Sequence, residues 1–71
     1  MVGMFFKNDG EIYEILESNF TFERFNQVSK YEMAVFVYKG KDRKYSYVEE
    51  IQNVTLVSKE YVIKHQPELL V

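Results

Sequence analysis

Residues 33–48 constrain this chain more than any other segment. Met33, Val35 and Val37 alternate with Ala34, Phe36 and Tyr38, so a strand over Lys30–Tyr38 is apolar on both faces. A period of two cannot sit still in a helix, and apolar residues on both faces predict a central strand covered from two sides. Lys39-Gly40-Lys41-Asp42 reads as a turn, and Arg43–Glu49 as its hairpin partner, with Tyr45 and Tyr47 on one face and Lys44, Ser46 and Val48 on the other. An Asp at position 35 or 37 is accordingly expected to abolish folding, because an unpaired charge would enter the core.

Other segments carry weaker versions of the same signal. Asn8-Asp9-Gly10 lies between apolar stretches, and Asp-Gly favours a tight hairpin because Gly tolerates positive φ. It joins a strand near Gly3–Lys7 to one near Glu11–Ser18, where Tyr13 and Ile15 share one face and Ile12, Glu14 and Leu16 the other. Asn53–Ser58 is a further short strand that sets Val54 and Leu56 against Thr55 and Val57. Two stretches are open between helix and strand. Residues 19–28 place Phe22, Phe25 and Val28 at helical spacing, with Asn19 or Thr21 available as a cap. Residues 59–65 form either a helix capped by Ser58 or a last strand, since Tyr61-Val62-Ile63 is β-prone. Pro67 ends that segment, and the apolar tail Leu69-Leu70-Val71 must dock on the domain or on a partner.

The fold class expected is therefore mostly β: a small five-stranded antiparallel SH3-like barrel or strongly bent sheet, with one short helix at 19–28 or 59–65. The resemblance is to an architecture and not to a family, and that architecture hosts many functions. The chain has 71 residues, which is one small domain over residues 1–71. Such a domain buries only about 60% of its unfolded surface. Six Phe and six Tyr supply the bulky apolar area this requires.

There is no Cys, hence no disulfide framework and no thiolate chemistry, which favours a reducing, cytoplasmic setting. The apolar start stops at Lys7, too short for a signal-peptide core or a membrane span. Position 2 is Val, so the myristoylation pattern is absent. Richness in Phe, Tyr, Lys, Asn, Ile and Glu beside a single Ala points to an A/T-rich genome or a mobile element.

No constellation specifies a reaction. Lys39, Lys41, Arg43 and Lys44 crowd one hairpin beside Tyr45 and Tyr47. Cations beside stackable rings suit single-stranded nucleic acid. A net charge of −2 speaks against it, and a solvated hairpin tip over core-packed tyrosines explains the same residues. Glu11, Glu14 and Glu17 do not converge on a strand, since Glu14 opposes the other two, and Glu49-Glu50 are read with them as solvated acids. His65 lacks an identifiable nucleophile and orienting carboxylate. The glycines at 3, 10 and 40 are too scattered for a phosphate-cradling loop. Phe20, Phe22 and Phe25 either lid the core or form an anchor patch.

Two functions follow. The first is a non-enzymatic protein-interaction module that uses the tyrosines of 43–49 and the Phe20–Phe25 segment. A homodimer through an edge strand or the Leu69–Val71 tail is one form of it. The alternative is a small nucleic-acid-binding barrel that uses Lys39, Lys41, Arg43, Lys44, Tyr45 and Tyr47. No catalytic residue, cofactor or metal ligand is expected, and no membrane partner.

Overall fold

Two consecutive phenylalanines organise the molecule. In the computed structural model, which describes residues 1–27, 29, 33–40, 43–50 (backbone course only) and 54–70, Phe5 and Phe6 stand side by side on β1 (Phe5–Asn8), and both are buried. Strand alternation sends them to opposite faces, so the sheet must be covered on both sides here. β1 pairs antiparallel with β2 (Glu11–Ser18) through the Asp9-Gly10 turn, where both residues have positive φ, 51° and 82°. Those are the torsions of the turn type that matches strand twist, as the Asp-Gly pair predicts.

β2 pairs with β3 (Met33–Gly40), and β3 pairs in unbroken antiparallel register with β4 (Arg43–Glu50). These four strands form an open sheet. A three-residue segment, β5 (Thr55–Val57), lies along the outer edge of β1, giving the order β4-β3-β2-β1-β5. The sheet does not close into the expected barrel. β4 and β5 are its opposite edges, and β5 is too short to reach further before the chain turns at Ser58 into α2 (Lys59–His65).

One face carries Phe6, Ile15, Ala34, Phe36 and Tyr38, roofed by Val54, the N-terminal methionines, Phe20 and Phe25. The rings of Phe6 pack on Phe36 at 5.1 Å and edge-on to Tyr38 at 5.3 Å between centroids. The other face carries Phe5 and Ile12 under Val62 of α2 and Leu69 of a closing 3-10 turn, Pro67–Leu70. Ser58 caps α2, its Oγ accepting the Tyr61 N–H at 3.1 Å, so 59–65 is a helix despite its β-prone centre. The apolar tail docks through Leu69. The segment after β2 makes one helical turn, α1 (Phe22–Phe25), capped by Thr21 rather than Asn19.

Two further sequence expectations change. The register of β2 on β3 slips between Ile15 and Glu17, a bulge that resets the alternation. Glu17 consequently falls on the same face as Glu14, whereas Glu11 remains opposite. The second concerns the covering of β3. Ala34, Phe36 and Tyr38 are buried, but Met33 is 42% and Val35 38% exposed. α2 covers that face over β1, β2 and β5, so β3 is central in the sheet and, among the described residues, uncovered on one side. Val28 and residues 30–32, part of the segments predicted above, lie outside the described residues, as do Lys41 and Asp42 of the predicted turn, Asn53 of the predicted 53–58 strand and Val71 of the tail.

Candidate interaction surface

The bare side of β3 is built by where α2 stops. Cα pairing of Phe5 with Glu14 and of Glu14 with Lys39 places Phe5, Glu14 and Lys39 in one row of that face. Phe5 is buried under the helix and the closing turn. Farther along the sheet the face continues as Val37, half-buried, then the exposed Val35 and Met33. Three branched or flexible apolar side chains thus line one strand without a layer over them among the described residues.

Asn19 holds this strand from its end. Its Oδ1 accepts the Val35 N–H at 2.9 Å, and its Nδ2 donates to the Met33 carbonyl at 3.2 Å. Its backbone N–H also donates to the Val35 carbonyl at 3.3 Å, so main chain and side chain together extend the β2 ladder past Ser18. Pattern reading missed Asn19 in this role, since a cap and a ladder extension use the same short amide.

Lys39, the first of the nominated cations, is a member of β3 rather than of the turn. Its Nζ lies 3.6 Å from Glu14 Oε1, with side chains 36% and 27% exposed. Across the ladder Lys39 faces Lys44, and Gly40 faces Arg43. Tyr45 stands opposite Tyr38 and Tyr47 opposite Phe36, the positions whose β3 members belong to the core face. Lys44 therefore falls on the face opposite the tyrosine positions, whereas Arg43, two residues before Tyr45, shares their face. The side chains of Arg43, Lys44, Tyr45 and Tyr47, and Lys41 altogether, lie outside the described residues.

The remaining candidates separate. Phe20 and Phe25 pack against the core, while Phe22 is exposed. Glu11 accepts a hydrogen bond from the Tyr13 hydroxyl at 3.1 Å. His65 stacks on Tyr61, ring centroids 4.2 Å apart, and Lys7 Nζ lies 5.4 Å above the same Tyr61 ring. These three border a polar cleft of about 470 Å³ between the Asp9-Gly10 turn and the end of α2. At its floor Gln66 is buried, with Oε1 accepting the Ile12 N–H at 3.4 Å and Nε2 donating to the Ile12 carbonyl at 3.1 Å. No group of three or more potential metal ligands occurs among the described residues, and no helix there is long and apolar enough to cross a membrane.

Comparison with protein families, with characterised proteins and with solved structures gives no match. The functional reading rests on the residues of this chain alone.

Proposed function

We propose that the chain is a non-enzymatic protein-interaction module of a reducing compartment, and that the β3–β4 hairpin is its docking element. The observation that carries the reading is the exposed row Met33, Val35 and half-buried Val37 on a strand whose other side is the core. A small domain that must conserve apolar burial gains little by leaving this row to water. An apolar strip rimmed by charge, here Lys39 and Glu14, has the make-up of a contact centre and its polar border. The nucleic-acid alternative is weaker. Lys39 already has a carboxylate beside it, and Lys44 stands on the face opposite the tyrosine positions.

A photo-crosslinking residue at position 35 tests the reading in the native cell. Discrete protein adducts are expected at position 35 and not at exposed position 60 on α2. Nuclease-sensitive adducts would transfer support to the nucleic-acid reading, and the absence of adducts at position 35 would remove the proposal.

A further inference from the structure

We infer that the outer edge of β4 pairs antiparallel with the same edge of a second copy of this chain. The inference rests on the reading of the β3–β4 hairpin as the docking element, and it names a partner for it. The sheet ends at β4, and among the described residues nothing pairs with its outer side. β4 is eight residues long, contains no Pro, and keeps one-to-one register with β3 from Arg43 opposite Gly40 to Glu50 opposite Met33. Edge strands are ordinarily blunted by shortness, by Pro, by bulges or by charges placed along them. β4 has charges, but they are sorted by sign. Arg43 and Lys44 open the strand, Glu49 and Glu50 close it, and Tyr45-Ser46-Tyr47-Val48 between them is uncharged.

That order repels a parallel copy and matches an antiparallel one. A two-fold axis perpendicular to the sheet keeps each residue on its own face, and paired residues share a face. The axis must therefore pass through a residue position, and the central choices are Ser46 and Tyr47. Centred on Ser46, Arg43 stands opposite Glu49 of the second copy, and Tyr45 opposite its Tyr47. Centred on Tyr47, Lys44 stands opposite Glu50 of the second copy, and Tyr45 opposite its Glu49. Either register brings a base against an acid at both ends of the pair. Opposite charges and aromatic pairs are what stabilise facing strands, whereas like charges oppose them.

Sedimentation of the full chain over a concentration series tests the inference. A dimer of twice 8.5 kDa is expected, weakening as salt rises because salt screens the attraction between the charged ends. R43E/K44E makes both ends acidic and E49K/E50K makes both basic. Each variant is expected to sediment at 8.5 kDa alone, and the two mixed are expected to form a heterodimer. The fourfold exchange R43E/K44E/E49K/E50K restores the homodimer. Amide exchange gives a readout without substitution: on concentrating the wild type, alternate β4 amides gain protection while those of β1 do not change. A chain monomeric at every concentration, or a single-sign variant that dimerises like wild type, overturns the inference. Foreign protein adducts from position 35 of such a monomer would leave the interaction reading standing.

Discussion

Gln66 and Asn19 use one device at two places. Each presents a carboxamide, one donor and one acceptor side by side, to the backbone of a strand. Gln66 serves both polar groups of Ile12, and Asn19 serves Val35 and Met33. The Gln66 contact is the more consequential because it is buried. Gln66→Ala leaves the Ile12 N–H and carbonyl unpaired under the helix, at a cost of about 1–3 kcal/mol. Urea unfolding is expected to show that loss, with Asn19→Ala losing less because water reaches Val35. Gly40 is the second residue on which packing turns. A Cβ there would lie 2.7 Å from Tyr13 Cε1, and that ring is already held 5.2 Å from Phe6 and 4.7 Å from Tyr38 between centroids. Gly40→Ala is therefore expected to destabilise by about 1–3 kcal/mol, the range for overpacking a filled site. A thermal midpoint equal to wild type would show that the Tyr13 ring yields.

At the scale of elements, β3 separates two substitutions that composition treats alike. Phe36 is fully buried and Val35 is 38% exposed on the adjacent position. Phe36→Asp is expected to abolish the cooperative thermal transition, since an unpaired buried charge costs several kcal/mol, comparable with the stability of a small domain. Val35→Asp is expected to cost about 1 kcal/mol or less, the span of strand preferences on an open face. Period-two patterning assigned these residues to opposite faces correctly, but it placed both in the interior. Alternation reports which residues share a face and is silent about what lies over it. That depended on where α2 came to rest, a matter of packing between distant segments. Signals contained in a few neighbouring residues were legible: the Asp9-Gly10 hairpin, and Ser58 as a candidate cap, although the β propensity of Tyr61-Val62-Ile63 left 59–65 open between helix and strand until the structure showed the helix. The bulge in β2 was not legible, because no Gly or Pro marks it. It moved Glu17 to the face of Glu14. The Gln66 and Asn19 bridges were equally hidden, each joining a single side chain to a remote strand.

The whole molecule is two apolar layers that share one thin sheet. Phe6, Ile15 and Phe36 lie on one side, Phe5, Ile12, Val62 and Leu69 on the other, and β1 and β2 contribute to both. Neither layer has enough apolar area to stand alone in a chain of 71 residues, and a strand lost from one layer is lost from both. Openness of the sheet follows from the same economy of length: β5 contributes three residues, and the chain then supplies the covering helix instead of a longer strand. Two layers coupled through shared strands should melt as one unit. Leu69→Ala tests this from the far end of the chain. It removes a buried side chain, 7% exposed, from the α2 layer only, and should cost about 2–5 kcal/mol. If the layers are coupled, amides of β3, which touch only the opposite layer, lose as much protection in hydrogen exchange as amides of α2. Loss confined to α2 would show instead that the helix and the closing turn open by themselves while the sheet persists. Leu69 would then hold a local flap, and the apolar face beneath it, Phe5 and Ile12, would join Val35 and Met33 as surface open to a partner.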